Sequence, residues 1–127
     1  MKSGTSSDTS ATSRPGDVLV IEDNAAFVAA LRALVPGRLY AVGTLREAFH
    51  ALRFKHWTRV LLDLELPDSS VEETISFIPH IRLAGHNVPV IVLTAYCVDA
   101  RKLEMLGASS VIDKADPDCA SILLAVL

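Results

Sequence analysis

The hydrophobic pattern of this chain is a series of short, unbroken apolar runs, each closed by a polar residue. Val18-Leu19-Val20-Ile21 ends in Glu22-Asp23, and Val60-Leu61-Leu62 ends in Asp63. Val90-Ile91-Val92-Leu93 ends in Thr94, and Ser110-Val111-Ile112-Asp113 delivers Lys114. Apolar runs without alternation predict strands covered on both faces, as in a parallel sheet between two helix layers. A shorter strand is predicted at Leu39 to Val42.

Helical patterns fill the gaps between the runs. Phe27, Leu31 and Leu34 recur at helical spacing, with Pro36-Gly37 closing that helix. Thr44 and Glu47 have capping-box spacing before a helix with a stripe of Leu45, Ala48, Phe49 and Leu52. Pro67-Asp68-Ser69 reads as a turn. Ser70 and Glu73 form a second capping box, for a helix carrying Val71, Ile75 and Ile78. Pro79 is expected to kink that helix, because it lacks an amide donor and crowds the carbonyl of Ile75. Asp99 caps the next helix, which ends near Gly107. Asp116 is expected to cap the last, with Pro117 at its first position and Leu123 and Val126 facing inward. Five strands alternating with five helices predict a doubly wound α/β sandwich around a parallel sheet, with right-handed crossovers.

Ligands in open α/β sheets bind at the carboxyl ends of the strands, where the polar residues gather. Asp63 is the most informative of them, since a buried charge is costly unless paired or metal-bound. Three carboxylates, a hydroxyl and an ammonium compose a metal-assisted phosphoryl-transfer site. Asp23 and Asn24 are both suited to cap the first helix, and Asp23 has the option of doing both jobs.

Composition narrows the setting. The 127 residues suffice for one core. Residues 1–16 are mostly Ser, Thr, Gly and Asp, with too little apolar surface to order, and read as a disordered tail before a domain at 17–127. The net charge is −3; Lys2 and Arg14 against Asp8 put +1 in the tail and −4 in the rest. That argues against direct nucleic-acid binding. The tail lacks the apolar centre of a secretory signal, and no run is long enough to span a bilayer. Cys97 and Cys119 have no metal-ligand spacing and fit a reducing cytoplasm as small half-buried residues. His50, His56, His80 and His86 show no ligand-like spacing. Trp57, six residues before Asp63, is expected about 20 Å away at the other end of its strand, in a packing role.

The constellation resembles the receiver domain of two-component response regulators, over nearly all of residues 17–127. The matching residues are Glu22-Asp23, Asp63 within Leu61-Leu62-Asp63-Leu64-Glu65-Leu66-Pro67-Asp68, Thr94 within Val92-Leu93-Thr94-Ala95, and Lys114 after Gly107-Ala108. The resemblance implies a flavodoxin-like (βα)5 fold with strand order 2-1-3-4-5. It implies that Asp63 accepts a phosphoryl group from a histidine kinase or a histidine phosphotransfer protein, and that the chain then switches its binding to a downstream protein. Mg²⁺ is implied as cofactor, with Asp23 and Asp63 as ligands, Glu22 acting through water, and the Glu65 backbone carbonyl completing the set. Lys114 and Thr94 are implied to contact phosphoryl oxygens. Apart from phosphorylating and dephosphorylating itself, the chain is expected to turn over no substrate. The alternative is an interaction module that works without phosphorylation.

Two positions depart from the family pattern. Val111 replaces the aromatic that usually takes part in the switch, and Ala115 replaces the proline after the lysine. A cis bond without proline costs about 3 kcal/mol, so a trans Lys114–Ala115 bond is expected. By the same resemblance Glu65 and Tyr96 flank the path of the attacking water, which predicts slow loss of the phosphoryl group.

Overall fold

The computed structural model describes residues 17–34, 39–54, 56–95 and 98–126. The expectations for the tail at 1–16, for Pro36-Gly37 as a helix stop, and for Tyr96 and Cys97 lie outside the described residues. Among the described residues ten elements alternate. Strands β1 (Val18–Ile21), β2 (Leu39–Val42), β3 (Arg59–Asp63), β4 (Val90–Thr94) and β5 (Ser110–Asp113) are separated by helices α1 (Ala25–Leu34), α2 (Leu45–Phe54), α3 (Val71–Leu83) and α4 (Ala100–Met105). Helix α5 (Cys119–Val126) closes the series. The five strands are all parallel, in the order β2-β1-β3-β4-β5.

The apolar runs are unbroken because successive residues enter two different cores. Leu19, Ile21, Val60, Leu62, Val90 and Val92 join Ala48, Leu52, Phe77, Ile78, Ile81 and Leu103 on the α2–α3–α4 side. Val18, Val20, Leu61, Ile91, Leu93 and Ile112 join Val28, Leu31 and Leu123 on the α1–α5 side. Side chains alternate across a strand, so both helix layers draw on the same short strands through alternate residues.

Helix faces differ from the expected stripes. In α1 the buried residues are Val28 and Leu31, while Phe27 is half-buried. In α3 they are Thr74, Phe77, Ile78 and Ile81, with Val71 and Ile75 on the margin. Thr74 tolerates burial because its hydroxyl bonds the Ser70 carbonyl (2.9 Å) and the Ser69 hydroxyl (2.9 Å). Phe49 is 39 % exposed, its ring set edge-on against Phe77 and His80. Helix α3 runs through Pro79 to Leu83 as one element.

The helix starts show how the strand-end loops are held. The Ser70–Glu73 capping box forms, with Ser70 Oγ accepting from the Glu73 amide and Glu73 accepting from the Ser70 amide. At α2 the box is altered. Thr44 Oγ1 accepts from the Glu47 amide (3.1 Å), but Glu47 Oε1 takes the amide of Gly43 (3.0 Å) and the Thr44 hydroxyl. Two further amides, of Leu45 (2.8 Å) and Arg46 (3.1 Å), donate to the Asp68 carboxylate from the loop after β3. Asp68 is therefore more than a turn residue: it ties that loop to α2. At α5 the Asp116 side chain accepts from Asp118 and its carbonyl from Cys119, making a turn. The helix then begins at Cys119 rather than Pro117.

The amides of Leu45 and Arg46 hold the Asp68 carboxyl below its usual range, the Leu45 bond being the larger cause. A depressed carboxylate stabilises above its unfolded value, near 3.9, and that share is lost as pH falls through the folded value. Asp68→Ala is expected to lower the urea midpoint at pH 7, and the gap from the parent protein should narrow progressively as pH falls below about 4. A gap that does not narrow with falling pH would show that the carboxylate charge is not what matters.

Candidate functional site

Strand register sets the site. Ile21 lies level with Leu62, so Glu22 follows level with Asp63. Asp63 is level with Leu93, and Thr94 with Asp113, one residue before Lys114. The adjacent β1 and β3 carry chain connections that depart in opposite directions, the switch point where such sheets open a crevice. A cleft of about 620 Å³ lies there, lined by Glu22, Asp23, Asn24, Asp63, Glu65 and Lys114 with the Leu64–Val71 loop.

Carboxylate oxygens of Glu22, Asp23 and Asp63 lie within 4.8 Å of one another. Glu22 and Asp63 are buried (3 % and 1 % exposed), whereas Asp23 faces solvent. Helix α1 is capped by Asn24, whose Oδ1 accepts from the Phe27 amide (3.0 Å). The choice between Asp23 and Asn24 thus falls to Asn24, and the Asp23 carboxylate stays with the cleft. Glu22 Oε2 accepts from the Asn24 amide (3.1 Å), and Asp63 Oδ1 from the Glu65 amide (3.2 Å).

Lys114 is the cation of the cleft. Its Nζ lies 2.6 Å from Glu22 Oε1 and 3.8 Å from Asp63 Oδ2, and 4.6 Å from the centre of the Phe27 ring. Its amide donates to the Thr94 carbonyl (2.8 Å), which fixes where the side chain starts. Thr94 is buried at the end of β4 and is not among the described residues lining the cleft. The described residues contain no cis peptide bond, so Lys114–Ala115 is trans as expected.

Burial, above all, pushes the Asp63 carboxyl up to about 7. The Glu65 amide opposes that rise, the Glu22 charge adds to it, and Lys114 opposes it. One ammonium among the four carboxylates that line it, Glu22, Asp23, Asp63 and Glu65, leaves the cleft short of positive charge. An oxygen-only donor set with that deficit fits a hard divalent cation.

The direct Lys114–Glu22 pair and the Phe27 contact were not foreseen. Glu22 and Lys114 are 92 positions apart, and neither carries a local signal for the other. The remaining histidine and cysteine expectations concern packing. Buried His86 bonds the Leu52 carbonyl through Nε2 (2.7 Å), and half-buried Cys119 has its thiol pushed up, first by burial and then by Asp116 and Asp113.

Comparison with known proteins agrees with this fold. Over 81 residues, 61 % of the chain, it is 35 % identical to the transcriptional regulatory protein BasR of Escherichia coli K12. The match spans only 35 % of that relative's length. Among solved structures it resembles the signal receiver domain of a protein described as a Luxo repressor from Vibrio parahaemolyticus. There the identity is 29 % and the TM-score 0.73, covering 89 % of this chain and 86 % of the other. A Burkholderia pseudomallei response regulator with a phosphorylated aspartic acid, calcium ion and citrate matches at 25 % identity and a TM-score of 0.74, over 88 % of this chain and 66 % of the other. The fold is also that of the receiver domain of a Pseudomonas aeruginosa sensor histidine kinase with magnesium in its active site cleft, at 19 % identity and a TM-score of 0.70, over 89 % and 94 % of the two chains. The sequence profile for the response regulator receiver domain covers residues 18–121, and with that match running from β1 into α5 this chain belongs to the family of response regulator receiver domains.

Proposed function

We propose that the chain is a phosphoacceptor switch, with residues 17–127 as the receiver unit behind a tail at 1–16, and with Asp63 as the acceptor. The observation that carries this reading is a buried Asp63 beside two further carboxylates and one lysine, at the mouth of the sheet. A structural aspartate gains nothing there. The phosphorylated aspartic acid in the Burkholderia relative supports the same assignment.

Asp23 and Asp63 would hold Mg²⁺ directly, with Glu22 acting through water and the Glu65 carbonyl completing the protein's share. When bound, the ion supplies positive charge that offsets the carboxylates and the phosphoryl oxygens. An Asp63 carboxylate oxygen forms the new bond to phosphorus while the bond from phosphorus to the donor's histidine nitrogen breaks, the electron pair leaving on that nitrogen. Lys114, already facing Asp63, neutralises a phosphoryl oxygen, and Thr94 donates to another from the next strand. The donor is a histidine kinase or phosphotransfer protein in the cytoplasm, and the product alters binding to a downstream protein. No independent metabolite is turned over.

Incubation with Mg²⁺ and acetyl phosphate, followed by the mass of the intact protein, tests the reading: one added phosphoryl group is expected. A phosphorylation-independent interaction module is the second reading. It draws on Val111, which packs half-buried against the α2–α4 core where an aromatic is usual. A chain that takes no label decides for it.

Trp57 gives a control for where the ion binds. It precedes β3, buried, with its ring N–H on the Ala51 carbonyl (3.0 Å) and its ring edge-on to Tyr40. Its fluorescence should barely respond to Mg²⁺. A large quench would place the ion at the wrong end of the sheet.

A further inference from the structure

Lys114 is held by two carboxylates, Glu22 and, more distantly, Asp63 (3.8 Å), and on another side by an aromatic ring. Glu22 Oε1 lies 2.6 Å from its ammonium, while the Phe27 ring centre lies 4.6 Å away. The Lys114 side chain is 17 % exposed, so the ring meets a largely desolvated cation, the setting in which this attraction is strongest. Phe27 is itself fixed, since its amide donates to the Asn24 cap (3.0 Å) immediately after Glu22 and Asp23. Its ring packs half-buried against the α1–α5 core.

We infer that Phe27 is a positioning residue for Lys114, its ring face keeping the ammonium at the cleft while the N–H donors stay available. The inference rests on the phosphoacceptor reading. Lysine has a flexible four-carbon stem and three donors, and nothing at the end of β5 alone directs it toward Asp63. A carboxylate in place of Phe27 would hold the ammonium but neutralise the charge that it brings to a phosphoryl oxygen. A leucine would fill the space and leave the ammonium to the two carboxylates, Glu22 and Asp63. An aromatic face attracts the cation without taking up a donor, so Lys114 can exchange Glu22 for a phosphoryl oxygen and remain held. The plainer role for Phe27 is packing under α5, and the two roles differ in what a variant does once Lys114 is gone.

The experiment uses the full chain as Phe27→Leu, Phe27→Trp, Lys114→Met and the Phe27→Leu/Lys114→Met double variant. It reads the rate of labelling by acetyl phosphate with Mg²⁺. Separately, without any phosphodonor, it reads the NMR resonance of the Lys114 Cε protons, which is tractable with four lysines in the chain. In the parent protein that resonance is expected upfield of the other lysines, through the ring current. Phe27→Leu should return it to the ordinary lysine position and slow labelling by about two- to tenfold. Phe27→Trp should restore both, and in the Lys114→Met background Phe27→Leu should add nothing. The inference is overturned by an unshifted resonance in the parent, by Trp labelling as slowly as Leu, or by an equal slowing without Lys114. Should Phe27→Leu fail to fold, the parent resonance and the Trp variant still decide. A parent chain that takes no label sinks the proposed function, and the resonance then judges the ring contact alone.

Discussion

Asp63→Asn is expected to take no label from acetyl phosphate under conditions in which the parent chain takes one phosphoryl group. The asparagine amide is neither a comparable nucleophile nor an anionic ligand, so the substitution removes the attacking oxygen and weakens the cation site together. Its shape is nearly that of the aspartate, and its side-chain oxygen can still accept from the Glu65 amide, which now bonds Asp63 Oδ1 at 3.2 Å. The loss should therefore be complete, without unfolding. Glu22 and Asp23 are the other carboxylates within reach, so Asp63→Asn that labels undiminished would move the acceptor to one of them. Glu22 is the weaker of the two, because its oxygens are already engaged by Lys114 and by the Asn24 amide.

Much of this site was legible in the sequence because a sheet covered on both sides leaves little freedom. The central strands are apolar along nearly their whole length, so the last apolar residue of each marks where the chain leaves the core. Parallel pairing then gathers all such points at one edge. That is how Glu22, Asp63, Thr94 and Lys114 could be placed without a structure. What escaped were partnerships across long separations. Asp68 looks like a turn residue until the loop after β3 is seen to reach the amides of α2, 22 and 23 positions earlier. Phe27 fits a helical stripe equally well as core or as rim, and its ring is a partner for Lys114 only because that side chain, just past β5, reaches the first turn of α1. The α3 stripe of Val71, Ile75 and Ile78 does pack on the core, but it omits Thr74 for a related reason. Burial of Thr74 depends on Ser69 and Ser70 satisfying its hydroxyl, and periodicity alone counts threonine as polar.

The same Asp63→Asn substitution that ends labelling should make the cation-free fold more stable. With its carboxyl raised to about 7, Asp63 keeps its proton in the fold while the unfolded chain, with a value near 3.9, has given its proton up. Stability then falls as pH rises from about 4 to about 7, because the unfolded state binds fewer protons over that window. A shift of this size corresponds to a loss on the order of 2–4 kcal/mol by pH 7.5, which a neutral amide does not suffer. The substitution also removes the Lys114 attraction at 3.8 Å, but Lys114 keeps the shorter Glu22 contact at 2.6 Å, so the balance still favours asparagine. Melts in chelator should show the variant above the parent at pH 7.5 and level with it near pH 4. Millimolar Mg²⁺ should raise the parent alone, since a cation that binds only the folded form stabilises it, and the variant has lost the buried ligand. A variant less stable than the parent at pH 7.5 in chelator would mean that Asp63 is held by its neighbours rather than strained by them. The reading of the cleft as a site short of positive charge would then fail.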